Sequence, residues 1–270
     1  MTEPLPAWLA SLNSRKRVSS GPFALWRWGR LFKDFPGFLE GFKITLLVSI
    51  LALLLALILG IIFGLFSTSN KKILRAIARV YVEIFQNTPL VVQVFFVYNA
   101  LPYVGVTLDV FSIGMLCVGI YHGAYVSEVV RAGISSIARG QMEAAKSQGF
   151  SYLQAMRWII LPQTLTIVLP PLANQAVNLI KNTSVMALVA GGDLMYRADS
   201  WASNGTLSYG PAYIITGVMY FILCFPLVSW ARRHELRIKN RGTGSGPGGP
   251  GLVVPAKAGT TDHIHQGAAL

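Results

Sequence analysis

The sequence predicts an all-α, polytopic membrane protein with about five transmembrane helices. Hydrophobic residues make up 53% of the 270-residue chain and charged residues 13%, which is about half the charged share of soluble proteins. Several apolar runs are long enough to cross a hydrocarbon core of ~30 Å. Lys and Arg concentrate at the ends of those runs, which is typical of membrane topology. The net charge of +12 is therefore not interpreted as a nucleic-acid-binding surface.

The distribution of the apolar runs divides the chain into three predicted regions. Residues 1–37 mix basic and aromatic side chains and are expected to lie at the lipid–water boundary. Residues 38–241 form the predicted transmembrane domain. Residues 242–270 are rich in Gly and Pro and are predicted to be a disordered tail. A GxGxxG spacing in this tail has no preceding strand, so no dinucleotide site is expected, and two tail histidines do not predict a metal site.

The first predicted span, residues 44–66, contains no charge. Gly60 and Gly64 form a small-xxx-small pair, which predicts a close contact with another helix. The segment 67–79 that follows carries four basic residues and no acidic one, so it is predicted to be cytoplasmic.

The second predicted span, residues 82–101, is interrupted by polar residues. Thr88 could cap a restarted helix and Pro89 could occupy its first position. Asn87 and Thr88 then either offer polar groups inside the membrane or mark a solvated helix end, and both interpretations stay open.

The third predicted span, residues 111–132, contains ionisable groups. Glu128 and Arg131 are three residues apart and are expected to pair on one helix face, in a structural role near the interface. His122 lies deeper, and it either lines a transport route or packs in the helix bundle.

The fourth predicted span, residues 165–189, is the most polar. Pro170 and Pro171 are expected to kink or break it. A charged group is costly in lipid, so the polar residues that follow are expected to face a water-filled cavity or a subunit interface. These residues are Asn178, Lys181, Asn182 and Thr183.

The fifth predicted span, residues 212–230, is followed by a basic segment that ends on the cytoplasmic side. Five spans place the amino terminus outside and the carboxyl terminus in the cytoplasm. The first 43 residues disagree, since they are basic and yet lie outside in this topology, so one span more or fewer remains an alternative.

One charged segment, residues 143–162 (EAAKSQGFSYLQAMRWIILP), lies between two apolar spans. Its pattern is Glu143, Ala144 and Ala145, then Gly149, and finally an I-x-L-P formed by Ile159, Leu161 and Pro162. The small alanines allow a partner surface to approach closely, and Gly149 can adopt a positive φ that turns the chain. We predict two short amphipathic helices joined at Gly149, the second ending at its proline.

The segment resembles the EAA loop of permease subunits of bacterial ABC importers. Five stretches sharpen the resemblance to the permeases for polar amino acids. These are residues 86–93 (QNTPLVVQ), 125–134 (YVSEVVRAGI), 139–145 (RGQMEAA), 160–163 (ILPQ) and 181–184 (KNTS). The resemblance as a whole covers about three quarters of the chain, whereas the amino-terminal segment and the tail lie outside it.

The resemblance implies the type I permease fold of ABC importers in a bacterial cytoplasmic membrane, with two cytoplasmic ATPase subunits, a second permease subunit that is identical or homologous, and an extracytoplasmic amino-acid-binding protein. It implies that Glu143, Ala144, Ala145 and Gly149 contact the ATPase. This chain has no GxxxxGK[ST] phosphate loop, so ATP and Mg²⁺ are expected in the partner ATPase and no cofactor or catalytic residue in this chain.

The substrate route is expected to be lined by Asn87, Thr88, His122, Asn178, Lys181, Asn182 and Thr183. Lys181 would attract a carboxylate, which favours glutamate, glutamine or aspartate, with basic amino acids as the other class. Two alternatives stay open, namely an ABC importer permease for another small solute and a secondary transporter. A secondary transporter would need deep acidic residues in several spans, and the acids here lie near span ends.

Overall fold

The computed structural model describes residue 21 and residues 23–204 and 209–242, with side chains up to residue 236. The helices in chain order are α1 (Leu25–Thr68), α2 (Lys72–Gln86), α3 (Leu90–Ala100), α4 (Val110–Ser135), α5 (Arg139–Ser147), α6 (Tyr152–Ala155), α7 (Leu161–Asn182), α8 (Leu194–Ser203) and α9 (Tyr209–Gly242). Short 3₁₀ segments follow α3 at Leu101–Val104 and α7 at Thr183–Val189, and no strand occurs among these residues. The all-α prediction is confirmed. Residues 1–20 and 243–270, which hold most of the predicted interfacial segment and tail, lie outside the described residues.

Helix α1 begins well before the first predicted span. Its 44 residues continue through Pro36 without interruption. At 1.5 Å per residue it is about 66 Å long, roughly twice the hydrocarbon thickness. The boundary predicted at residues 37 and 38 therefore falls within one helix, whose first turns extend beyond the membrane core.

Helices α1 and α4 form the centre of the molecule. The predicted contact at Gly60 and Gly64 is present, because the side chains of Val126 and Val130 on α4 lie directly over these glycines. A methyl group added to Gly60 would lie 2.2 Å from Val126 Cγ1. The absence of side chains at these two positions thus sets how closely the two helices approach.

The predicted break in the second span is confirmed. Helices α2 and α3 meet at 94° across residues 87–89. The predicted cap is wrong, however, since the Thr88 hydroxyl donates backward to the carbonyl of Ile84 and Pro89 stands at the N-cap of α3. No side chain of the described residues makes a cap hydrogen bond to the first amides of α3.

The helical path from Tyr152 to Asn182 continues through three prolines. The sequence predicts that Pro162 ends a helix, but it lies in the first turn of α7, where no amide donor is required. A π-helical turn at Met156–Ile160 joins α6 to α7, so the helical path continues past the predicted end. Pro170 and Pro171 lie inside α7 and do not break it.

Three described helices are long and apolar enough to cross a membrane, namely α1, α4 and α9, and the bent pair α2–α3 makes a fourth. Helix α7 has 22 residues, a sufficient length, but its polar residues and prolines lower its hydropathy. The two ends of this bundle differ, because α5 lies at one end and α8 at the other. We refer to them as the α5 end and the α8 end.

At the α8 end, α8 packs between α1 and α9. The Trp201 indole donates to Asp34 at 2.8 Å, and the Leu194 amide donates to the Thr45 hydroxyl at 3.0 Å. Asp193 caps α8 by accepting from the Met195 amide, and burial raises its pKa to about 6. These contacts fix α8 to the extended first half of α1.

Candidate functional site

The turn between α5 and α6 is built on Gly149. Its φ is +86°, the left-handed conformation that glycine adopts without a Cβ penalty. The Gly149 amide donates to the Lys146 carbonyl at 2.9 Å, and the Phe150 amide donates to the Ala145 carbonyl at 3.1 Å. This is the hydrogen-bond pattern that closes a helix at a left-handed residue. The predicted positive φ at Gly149 is confirmed, and it reverses the chain between the two helices.

The other three predicted coupling residues lie on different faces of α5. Glu143 and Ala144 are exposed, whereas Ala145 is 2% exposed and faces the protein. A Cβ placed on Gly149 would meet no atom within 4 Å. The surface available to a partner is thus formed by Glu143, Ala144 and Gly149, while Ala145 holds the helix in place.

Helix α6 is anchored by its own cap and by its apolar face. Ser151 and Gln154 form a reciprocal capping box. Tyr152, Met156 and Ile160 pack toward the core, as their spacing predicts. Leu153 points away and is 76% exposed. Sequence reasoning missed this residue, although a leucine on the polar side of an amphipathic helix is a recognisable signal for a contact.

We refer to α5 and α6 with their connecting turn, residues 139–155, as the coupling segment. Between the coupling segment and the bundle lies a cavity of about 360 Å³. It is lined by Arg131, Arg139 and Met142 together with Ser67 at the end of α1. The predicted pair of Glu128 and Arg131 is confirmed, with an N–O distance of 2.6 Å. This ion pair lies beside the coupling segment at the α5 end of α4.

A second cavity, of about 270 Å³, lies between α4 and α7. We refer to it as the polar cavity. It brings together four of the predicted route residues, His122, Asn178, Lys181 and Asn182, and adds three more. The additional residues are Tyr121, Tyr125 and Gln175. Helical spacing could have predicted that these residues line the same cavity. Tyr121 and Tyr125 are four residues apart, and Gln175 precedes Asn178 by three residues and Asn182 by seven, so each set shares one helix face.

The centre of this cavity is a contact between His122 and Asn182. His122 is 2% exposed, and its Nε2 lies 3.0 Å from Asn182 Nδ2. An amide nitrogen only donates, so Nε2 accepts and the ring carries its proton on Nδ1. That Nδ1 is buried and makes no hydrogen bond of good geometry among the described residues, and the Gln175 side chain lies close enough to interact with the ring. The cavity therefore contains a donor that a polar guest could satisfy.

Lys181 and Asn178 lie at the open side of the polar cavity. Both residues are exposed, whereas the histidine is buried behind them. The cavity thus offers a cation at its mouth and neutral donors and acceptors at its base. Such a gradient suits a small polar molecule that carries a carboxylate.

Three predicted route residues lie elsewhere. Asn87 donates to the Glu83 carboxylate at 2.9 Å, at the exposed break between α2 and α3. Thr88 is bonded to α2, as described above, and neither residue lines the polar cavity. Thr183 is buried, and its hydroxyl donates to the Ile180 carbonyl at 2.7 Å. None of these three residues lines the polar cavity.

Comparisons with known proteins agree with this geometry. The sequence model of the family described as "Binding-protein-dependent transport system inner membrane component" matches residues 56–240. The probable glutamine ABC transporter permease protein GlnM of Bacillus subtilis (strain 168) is 44% identical over 209 residues, which are 77% of this chain and 96% of that protein. The arginine transport system permease protein ArtQ of the same organism is 34% identical, over 77% of this chain and 94% of that one.

Solved structures show the same fold. A chain of an amino acid ABC transporter crystallised with histidines is 32% identical, with a TM-score of 0.71 over 77% of this chain and 97% of that chain. A bacterial ABC transporter involved in the import of alginate shares the fold at 16% identity and a TM-score of 0.62, over 86% of this chain and 90% of that one. The chain described here therefore belongs to the family of inner membrane components of binding-protein-dependent transport systems, the permease subunits of ABC importers.

Proposed function

We propose that this chain is the permease subunit of an ATP-driven importer that moves a polar amino acid across the bacterial cytoplasmic membrane by alternating access. The observation that carries the proposal is the polar cavity between α4 and α7, within the membrane-spanning bundle. A cavity lined by amide, phenol, imidazole and ammonium groups matches a solute that needs both donors and acceptors near the midplane.

The α5 end is assigned to the cytoplasm. The basic residues just before and within the first turns of α2 and those of the coupling segment lie at this end, as the positive-inside rule expects. This assignment places the amino terminus outside and the carboxyl terminus in the cytoplasm. The α8 end then faces the extracytoplasmic amino-acid-binding protein that delivers the substrate.

Coupling is assigned to Glu143, Ala144 and Gly149, with Leu153 added by its exposure. ATP and Mg²⁺ bind in a separate cytoplasmic ATPase subunit, and this chain contributes no catalytic residue or cofactor. Closure of two such ATPases moves the α5–α6 turn as a unit, because Ala145 and Met156 pack into the protein and the Ser151 capping box fixes the start of α6. Only contacts that differ between the two transport states transmit the work.

Substrate recognition is assigned to the polar cavity. The Lys181 ammonium attracts the carboxylate of the amino acid, and the protonated Nδ1 of His122 donates to a carbonyl or carboxylate oxygen. Gln175 and Asn178 serve an amide side chain, which favours glutamine, glutamate or aspartate over basic amino acids. A second permease subunit, identical or homologous, closes the open side where Asn178 and Lys181 are exposed.

The experiment is uptake of a panel of radiolabelled amino acids by the reconstituted importer, with ATP present or absent. We expect uptake of one polar amino acid that depends on ATP. Lys181→Gln should raise the KM for that amino acid about tenfold or more, the loss of one charge-assisted hydrogen bond. Lys33→Gln is the control, since Lys33 is exposed on the extended part of α1.

Three outcomes would contradict the proposal. Uptake that continues without ATP would indicate a secondary transporter. ATP-dependent uptake of a solute other than an amino acid would reassign the substrate. An unchanged KM in Lys181→Gln would remove the polar cavity from the route.

A further inference from the structure

Helix α2 has three distinct faces, and only one of them contacts the protein. The packed face includes Ala78, which is fully buried, and Tyr81, whose hydroxyl donates to the Ile120 carbonyl at 2.7 Å. The Gln86 amide donates to the Ala124 carbonyl at 3.1 Å. These contacts hold α2 against α4 and leave its remaining circumference uncovered.

The second face is an exposed apolar stripe. Its members recur at intervals of four, three and four residues, so they share one side of the helix. They are Ile73, Ile77, Val80 and Ile84, each at least half exposed. Four branched aliphatic side chains in a row form a surface that water solvates poorly.

The third face is cationic. Lys71 precedes the helix and Lys72 is its first residue, and Arg75 and Arg79 lie one and two turns further along. Arg75 donates to the Ser69 carbonyl at 2.8 Å, whereas Lys71, Lys72 and Arg79 have no side-chain hydrogen bond or ion pair with any residue of the described chain. Three cations are therefore available to an external partner.

The position of α2 decides what that partner is. The helix meets α3 at 94°. Arg75 and Arg79 share a cavity of about 410 Å³ with Ser67 and Arg131, the two residues that also line the cavity under the coupling segment. The amino-terminal half of α2 thus lies at the α5 end of the bundle, whereas Tyr81 and Gln86 contact Ile120 and Ala124 near the middle of α4.

We propose that the amino-terminal half of α2 is an anionic-lipid-binding segment at the membrane surface. The apolar stripe enters the acyl-chain region, and Lys71, Lys72 and Arg79 bind the phosphates of anionic phospholipids. Basic residues clustered on an amphipathic helix beside a span have this chemistry in general. The assignment to the cytoplasmic leaflet rests on the proposed topology, whereas the lipid contact itself does not.

Two other occupants fit these faces less well. A soluble ATPase subunit would have to cover the four exposed aliphatic side chains of the stripe or leave them in water. A second copy of this chain would bring an equal set of cations toward Lys72 and Arg79, which is unfavourable at close range. A lipid layer alone combines an apolar interior with an anionic surface.

The test uses the assembled importer in nanodiscs that contain phosphatidylcholine with or without phosphatidylglycerol. Native mass spectrometry measures how much phosphatidylglycerol the complex retains. Each basic residue near a membrane surface contributes about fivefold to binding, so Lys71→Gln, Lys72→Gln and Arg79→Gln combined should reduce retention on the order of a hundredfold. Arg75 is left intact because it caps the end of α1.

A matched control removes three exposed cations from α1 instead, by Arg30→Gln, Lys33→Gln and Lys43→Gln. This variant removes the same number of charges outside the amphipathic helix, so phosphatidylglycerol retention should fall at least about tenfold less than in the α2 variant. Equal retention in both triple variants would overturn the proposal, since it would mean that total charge rather than α2 attracts the lipid.

A second measurement examines the apolar stripe. Ile77→Cys is labelled with an environment-sensitive fluorophore after Cys117 and Cys224 are replaced by Ala. A blue-shifted emission that is quenched by bromine-labelled lipid supports the lipid contact. Emission typical of water, or a disulfide that joins the introduced cysteines of two permeases before labelling, would overturn it.

Discussion

The conformation of Gly149 provides a graded test of the coupling segment. Its φ of +86° costs an L-residue about 1–2 kcal/mol, whereas a Cβ at this position meets no neighbouring atom within 4 Å. Gly149→Ala therefore isolates the backbone strain from any steric clash. Gly149→Asn should be milder, because asparagine tolerates this region, and Gly149→Val should be more severe, because a β-branched residue does not.

The expected magnitude follows from the population of the correct turn. A strain of about 1–2 kcal/mol lowers the ratio of the docking-competent turn to other conformations by roughly 5- to 30-fold. If the strain makes other conformations more populated than the docking-competent turn, the apparent affinity for the ATPase falls with the fraction of competent molecules. The order of affinities should be Gly, Asn, Ala and then Val, with ATP-dependent uptake falling in parallel.

The control is Gly140→Ala in the same segment. Gly140 is helical, and a Cβ there also meets no atom within 4 Å, so alanine should be neutral or stabilise α5 by up to about 1 kcal/mol. Affinity is measured by co-purification and by titration of the partner ATPase against the permease in detergent. Equal affinities for Gly149→Ala and Gly140→Ala would refute the role of the left-handed turn.

Three further predictions concern other parts of the chain. Glu143→Lys should abolish most ATP-dependent uptake while insertion and thermal stability stay unchanged, because Glu143 is exposed; retained uptake would remove it from the coupling surface. Gly60→Ala should destabilise the bundle by roughly 1–3 kcal/mol through its 2.2 Å approach to Val126, whereas Gly217→Ala, with open space, should not; equal unfolding temperatures would contradict the packing. Burial raises the pKa of Asp193 from 3.8 to about 6, so its stabilising contribution is complete below about pH 4 and is lost as pH rises through 6. Asp193→Asn keeps the cap and should raise the unfolding temperature at about pH 7.5 but not at about pH 4, and a pH-independent difference would refute this account.

Local relations were available from the sequence alone. The ion pair of Glu128 and Arg131 was predictable because residues three apart share a helix face. The positive φ of Gly149 was predictable because glycine ends helices in that conformation. The order of spans and the resemblance to importer permeases also required no coordinates, since hydropathy and short motifs are linear properties.

Relations between distant residues required the fold. His122 and Asn182 are 60 residues apart, and only the packing of α4 on α7 makes one a partner of the other. The same packing leaves Thr183 outside the polar cavity, although it directly follows Asn182, because adjacent helical residues point about 100° apart. Sequence reasoning could nominate polar residues in a span but could not choose among them.

The sequence by itself determined the class of this protein, because burial in lipid imposes long apolar helices and basic loops that can be counted along a chain. Tertiary structure decided which surfaces stay free. Ala144 and Ala145 are equivalent in the pattern, yet one is exposed and the other buried. Helix α2 shows the same limit, since its amphipathic pattern is visible in the sequence while the size of the bend between α2 and α3, 94°, is not. Exposure depends on neighbours that are distant in the chain, and those neighbours exist only once the helices have packed.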